Sequence, residues 1–396
     1  MNNKFDAVVA GHICLDIIPI FENVIKSDMN GLLTPGKVIN MGKVNISTGG
    51  PVSNTGIALE RLGIKTSLMG KIGNDYFGKG ILEILGNSAC RGMNITEGQQ
   101  TSYTVVIVPP GVDRIFLHSP GANNTFASED INYDLVEQSR IFHFGYPPLM
   151  EKIFEDNAAQ LIKIFKKVKD LGVTTSLDMS LPDPSSRAGK VDWEKVLQNL
   201  LPYVDIYIPS VEETLFMIAR DEYRKLYDTK NNCDILESLD IDVLPLLGAK
   251  LINYGAKIAV IKCGVKGYYV KTQSRQALAN MGKAKPADLE NWADRELMEE
   301  SFHVPNIASA TGSGDSSIAG FLAAFLKGKQ IEESIRFACA VGGLNLTCFD
   351  AISGIRSWEE THKLIEKGWE KNSYKIKSTK WKYDTEKKNW FLNKKD

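Results

Sequence analysis

A single carboxylate stands at the mouth of a glycine-rich turn in Ser309-Ala310-Thr311-Gly312-Ser313-Gly314-Asp315, and an apolar helical pattern begins directly behind it. Ile318, Phe321, Leu322, Phe325 and Leu326 recur at helical spacing, and Gly328 suits the position just past a helix end. A helix N-terminus offers unpaired N–H groups and partial positive charge, so it attracts anions such as phosphate. Glycines at 312 and 314 let backbone approach that anion without side chains between them. A carboxylate there repels a phosphate, so pure anion binding does not explain Asp315. A base that takes the proton of a hydroxyl attacking phosphorus does. The plain alternative is a loop-to-helix turn with Asp315 as its cap.

A second glycine pair lies near the N-terminus in Gly49-Gly50-Pro51-Val52-Ser53-Asn54, followed by Leu59-Glu60-Arg61-Leu62-Gly63 and then by Gly73-Asn74-Asp75-Tyr76-Phe77-Gly78. With the 309–315 run, these segments resemble the two signatures of the PfkB/ribokinase family of carbohydrate kinases. The likeness runs from about residue 5 to about residue 364, in the family's order. It implies a ribokinase-like α/β fold: a mostly parallel sheet with helices on both faces and a small antiparallel β lid over the sugar. It also implies ATP and Mg²⁺.

The alternation of elements agrees. Apolar runs at 6–10, 66–71, 140–144, 174–178, 205–208 and 257–262 read as buried strands. Helical patterns fall at 52–62, 153–169, 193–201 and 243–254, as a parallel sheet between helical layers requires. Strand-like stretches near 38–48 and 101–118 lack helices between them, and they match the lid (about 14–48 and 101–120). The kinase domain is expected over 1–370, with 371–396 a basic, aromatic-containing extension.

Carried over residue by residue, the resemblance makes Asp315 the base, and the backbone of Gly312, Ser313 and Gly314 the anion hole. Asp16, Gly49, Gly50 and Asn54 match the sugar contacts. Taken alone, Asp16 is equally a turn former and Asn54 a helix cap. Lys262, Gly264 and Gly267 match a turn beside the nucleotide, although a plain strand-to-strand turn reads alike. Asn345 lies on a helix expected to wall the adenine pocket. Glu213 matches the Glu that organises Mg²⁺ through water. Asp75 reads as structural, and Arg114 as an exposed lid residue.

Departures from the pattern matter too. Ser309 and Ala310 replace the Asp-Thr that opens the second signature, so the family's monovalent-cation requirement does not carry over. Ser210 replaces the Asn of Asn-x-x-Glu.

Composition narrows the class. The formal net charge is −1, which argues against nucleic acid as the main partner. The 43% hydrophobic content over 396 residues allows a large core. Six cysteines show no Cys-x-x-Cys pair, so neither a zinc site nor a disulfide framework is expected, and the thiols suit a cytoplasmic protein. The apolar run 7–20 is interrupted by His12 and Asp16 and reads neither as a signal peptide nor as a membrane span.

The lysine-rich tail carries Trp381, Trp390 and Phe391, expected to dock on the domain or a second subunit while its lysines stay solvated. A homodimer is expected, since lids in the family pair edge to edge. The leading reading is a kinase of a free sugar or polyol. A nucleoside or sugar-phosphate kinase of the same fold, or a non-catalytic sugar- or nucleotide-sensing protein, remain as alternatives.

Overall fold

The structure, a computed structural model, describes residues 4–21, 35–108, 115–229, 235–372 and 378–393. Its strands in the first part of the chain are β1 (Ala7–Gly11), β2 (Cys14–Pro19), β3 (Val44–Gly49), β4 (Thr66–Met69), β5 (Lys71–Gly73) and β6 (Asn94–Thr96). Next come β7 (Tyr103–Ile107), β8 (Ile115–Ser119), β9 (Ile141–Gly145), β10 (Thr174–Leu177), β11 (Ile206–Tyr207) and β12 (Ile258–Lys262). The last four are β13 (Tyr268–Thr272), β14 (Glu296–Glu299), β15 (Trp381–Asp384) and β16 (Asn389–Leu392).

Strands β4, β1, β9, β10, β11 and β12 run parallel and in that order, because the connections between them carry helices. Each is buried on both faces, so alternate residues feed two separate cores. Val8 and Ala10 join Phe142 and Phe144 on one side, while Ala7 and Val9 join Ile141 and Leu68 on the other. The predicted strand 66–71 divides into β4 and β5 at Gly70, where an added Cβ would lie 2.8 Å from the Ile13 side chain.

Four helices matter for the site: α1 (Pro51–Arg61), α2 (Val211–Ile218), α3 (Ser313–Leu326) and α4 (Ile331–Asn345). Helix α3 is buried from Asp315 to Leu326, packed between α1 and α4. Gly320 permits this contact, since a Cβ there would already sit 3.0 Å from Ala338.

A second sheet in the order β3-β2-β7-β8 lies in the segments expected to form the lid. Two of its pairings are antiparallel, and the central β2–β7 pair is parallel. The tract 281–288 is not a free loop. Met281 and Ala284 are fully buried beneath the main sheet, and Thr174 Oγ1 donates to Ala284 O at 2.5 Å.

The C-terminal tail joins the main sheet. β16 pairs antiparallel with β14, and β15 covers β16. Trp381 is buried against Tyr269, as docked aromatics require. Its neighbouring lysines are not simply solvated, because two buried carboxylates recruit them. Lys371 pairs with Glu299, which Arg336 also meets at 3.4 Å, and Lys387 pairs with Glu332 at 2.6 Å. Burial alone would raise Glu332. Hydrogen bonds from Asn291, Lys387 and Arg295 instead hold it down at about 2.

Candidate active site

The site gathers at the carboxyl ends of the parallel strands, where open α/β sheets leave a crevice. Tyr146, just past β9, and Lys262, at the end of β12, reach the N-terminus of α3 there. Gly312 caps α3 with φ 71°, a left-handed conformation that glycine tolerates without cost. Gly314 is exposed, and Asp315 directly behind it is 2% exposed. N–H groups in a first helical turn have no carbonyl one turn back to bond, which leaves those at 314 and 315 available to an anion. The Ser313 N–H differs from the expectation for the anion hole, since it turns back to Ala310 O at 3.3 Å.

Asp315 is held from two directions. Asn54 Nδ2 donates to Oδ2 at 2.8 Å, and the Tyr146 hydroxyl lies 3.0 Å from both carboxylate oxygens. Burial pushes the Asp315 pKa up, and these donors with the Lys262 charge oppose it. Tyr146 sits at φ 62° directly after β9, so its left-handed backbone turns the ring toward α3.

Lys262, expected near the nucleotide, reaches inward toward the start of α3. Its ammonium binds Asp178 Oδ1 at 2.5 Å and Ile208 O at 2.9 Å, and its Cε lies 3.9 Å from where a Gly314 Cβ would stand. A fixed cation therefore lies close to the start of α3. Burial works against that charge, but Asp178 and Glu213 keep the Lys262 pKa above its usual value. Desolvation raises Asp178 to about 6 and Glu213 to about 8.

Glu213 also completes a capping box at the start of α2. Ser210 N donates to Glu213 Oε2 at 2.6 Å, and Glu213 N donates to Ser210 Oγ at 3.2 Å. Ser210 at the position of the family's Asn is thus a helix cap.

On the lid side, Asp16 on β2 is 8% exposed and burial raises it to about 6. The two glycines of the first motif make room for site side chains. A Cβ on Gly49 would lie 2.4 Å from Asp16 Oδ2, and one on Gly50 would lie 2.7 Å from His12 Nδ1. Asp75 is structural, as expected, because its carboxylate accepts from Thr101 N, Thr101 Oγ1 and Gly78 N at 2.7–2.8 Å.

Asn345, Gly264 and Gly267 make other contacts. Asn345 is fully buried, and its amide donates to Thr311 O at 2.7 Å, so the side chain braces the loop before the anion hole. Gly264 and Gly267 flank a tight turn between β12 and β13. A Cβ on Gly267 would fall 2.0 Å from Glu299 O, so the turn itself demands that glycine. Arg114 lies outside the described residues.

Sequence reasoning missed Tyr146, Asp178 and His12. Each immediately follows a buried parallel strand. A polar residue just beyond the carboxyl end of an apolar run is the signal that could have marked them.

Residues 4–358 match the profile of the pfkB family carbohydrate kinases. Fructokinase-2 of Solanum lycopersicum is 25% identical over 381 residues, covering 90% of this chain and 95% of that protein. Among solved structures, Arabidopsis thaliana ribokinase with ribose and ATP superposes with a TM-score of 0.68 at 20% identity, covering 91% of this chain and 99% of that one. A ribokinase-type protein from E. coli with ATP and Mg²⁺ gives 0.65 at 19% identity, covering 92% and 99%. The match spans almost the whole chain and contains both motifs that meet at Asp315. This chain belongs to the pfkB family of carbohydrate kinases.

Proposed function

We propose that the protein transfers the γ-phosphoryl group of ATP to a hydroxyl of a free sugar or related polyol, with Asp315 as the base. The observation that carries this reading is the hydrogen bond between Asn54 and Asp315, which joins the two motifs directly beneath a helix N-terminus. One side chain of that pair belongs to the sugar motif and the other to the phosphate motif.

In this reading Asp16, Asn54 and the Gly49–Gly50 backbone hold the sugar hydroxyls. Asp315 accepts the proton of the attacking hydroxyl as the bond to phosphorus forms and the bond to ADP breaks. The transition state for this transfer is loose, so placement and charge stabilisation outweigh base strength. The N–H groups around Gly312 and Gly314 supply donors to the phosphoryl oxygens, and Lys262 supplies a fixed positive charge below them.

The donor set suits Mg²⁺. Among the described residues no group of three His, Cys, Asp or Glu side chains is placed to hold a metal. Mg²⁺ that keeps its waters and rides on nucleotide phosphates needs only one or two carboxylates. Asp178 and Glu213, both raised by burial despite the nearby Lys262 charge, would be those carboxylates, Glu213 through water. When bound, the ion neutralises charge on the ATP phosphates.

A free sugar fits the lid wall better than an anionic substrate. Asp16 on the lid side and Asp315 on α3 bring negative charge to the site, whereas Lys37 and Lys43 are exposed on the lid segment. We also propose a homodimer through the lid, where Val44, Ile46, Phe116 and Leu117 are each more than half exposed. Among the described residues no helix is long and apolar enough to cross a membrane.

The test is ADP release from Mg-ATP across sugars, polyols, sugar acids, nucleosides and sugar phosphates, with Asp315→Asn in parallel. Turnover of a neutral sugar that the variant loses supports the reading. Turnover confined to nucleosides or sugar phosphates moves the substrate class, and silence from a protein that still binds ATP points to sensing.

A further inference from the structure

A chain of hydrogen bonds leads away from Asp16, and its direction decides what its far end can recognise. The Cys14 thiol donates to Asp16 Oδ1 at 3.3 Å, and Thr104 Oγ1 donates to Cys14 Sγ at 3.5 Å. Thr104 Oγ1 also lies 3.0 Å from His118 Nδ1, and His118 Nε2 lies 3.3 Å from His12 Nε2. A carboxylate only accepts, while a thiol or hydroxyl has one proton to give. Every link therefore points the same way.

Thr104 has one proton, spent on the Cys14 and Asp16 side, so its oxygen accepts from His118, whose proton must sit on Nδ1. The bare Nε2 of His118 then accepts from His12, whose proton must sit on Nε2. That leaves His12 Nδ1 as a lone-pair acceptor, and this atom is buried without a partner. Burial holds His12 far below the usual imidazole value, so the ring carries one proton rather than two. The Cys14 thiol keeps its proton for the same reason.

His12 cannot easily swing away. Asn123 grips the next residue from both sides, accepting from Ile13 N at 3.4 Å and donating to Ile13 O at 2.8 Å. The His12 ring stands 6.3 Å from the ring of Tyr146, whose hydroxyl reaches Asp315, and Nδ1 faces the missing side chain of Gly50. It thus lies between the lid acid and the base. A second buried acceptor without a partner, Asn54 Oδ1, belongs to the same wall, its amide nitrogen being committed to Asp315.

We propose that His12 Nδ1 is a specificity-determining acceptor for one hydroxyl of the sugar, its tautomer set by the Asp16–Cys14–Thr104–His118 relay. This rests on the sugar-kinase reading and adds a requirement to it. The substrate must present a hydroxyl donor at this point, and a derivative lacking it leaves a buried acceptor unpaired.

Two measurements decide the matter. Nitrogen-15 NMR of the histidine side chains in the sugar-free protein should show His12 protonated on Nε2 and His118 on Nδ1. Thr104→Val, which removes the orienting oxygen, should disturb both tautomers. A proton on His12 Nδ1 in the wild type overturns the proposal without reference to any substrate.

The second measurement is kcat/KM for D-fructose and D-ribose and for monodeoxy derivatives of each. The wild type should reject one derivative by about 10²-fold or more, and His12→Phe or His12→Leu should shrink that penalty to a few-fold. A penalty that survives both variants overturns the proposal. Correct tautomers with no sugar turned over would sink the functional reading and the recognition role together, while leaving the relay itself established.

Discussion

Asn54 and Asp315 are 261 positions apart in sequence, yet one hydrogen bond of 2.8 Å joins them. The amide is committed to the carboxylate in the sugar-free protein, so a base at Asp315, as proposed, would enter the reaction already oriented. Replacing Asp315 with Asn should cut kcat by about 10³-fold, with KM for ATP changed little. Steady-state ADP release measures both. A variant with near-wild-type kcat would remove Asp315 from the base role.

Tyr146→Phe removes the hydroxyl that touches both oxygens of Asp315. Its hydrogen bond favours the ionised carboxylate, so its loss should raise the Asp315 pKa further. The acid limb of the kcat–pH profile should move to higher pH, with kcat at the alkaline plateau within about ten-fold of wild type. A purely structural tyrosine would lower the melting temperature without moving that limb.

Asp16 gives activity and stability opposite pH trends. Its folded pKa of about 6 stands above the unfolded value near 3.8. Between those values the native state holds a proton that the unfolded chain has released, so stability falls as pH rises through the window. The ionised form anchors the hydrogen bonds beyond it, so kcat/KM should fall as pH drops below about 6. Asp16→Asn should flatten this contribution to stability and lower kcat/KM at every pH. Chemical denaturation and kinetics between pH 4 and 8 report both.

Ser309 stands where the resembling family carries Asp, and its hydroxyl donates to Thr311 Oγ1 at 3.0 Å, within the loop before the anion hole. Lys262 already supplies a positive charge close to the start of α3. Activity should therefore be independent of K⁺, read as rate against KCl with choline chloride holding the ionic strength. A steep rise with KCl would contradict this.

Ending the chain after Asn372 should be severely destabilising. It removes the hairpin from β14, takes the buried Trp381 from Tyr269 and deprives Glu332 of Lys387. Loss of a buried aromatic alone costs about 3–5 kcal/mol, so the midpoint of urea denaturation should drop sharply. An unchanged midpoint would make the tail dispensable.

The legible and illegible parts of this molecule divide by distance along the chain. The helix starts after Gly50 and after Gly312 could be read because each is a local pattern. Parallel strands were legible as apolar runs, since burial on both faces leaves little room for polar residues. Tyr146, Asp178 and His12 were not, because only the order of strands in the sheet brings them together. The Lys262–Asp178 ion pair was hidden for the same reason. The Lys262 turn looked like a nucleotide element, while the side chain follows a charge supplied by Asp178, which lies 84 positions away. The tail hairpin escaped notice because pairing with β14 depends on an edge that no local pattern advertises.

That hairpin also bears on how the protein is born. Strand β14 leaves the ribosome well before β15 and β16 exist, and until they arrive it stays an open edge, with Glu299 and Glu332 beside it. The nascent kinase can assemble its catalytic crevice while one border of its main sheet is still raw. Chaperone demand during synthesis should therefore peak late, and a stalled or prematurely terminated chain would expose an adhesive border that the finished protein hides.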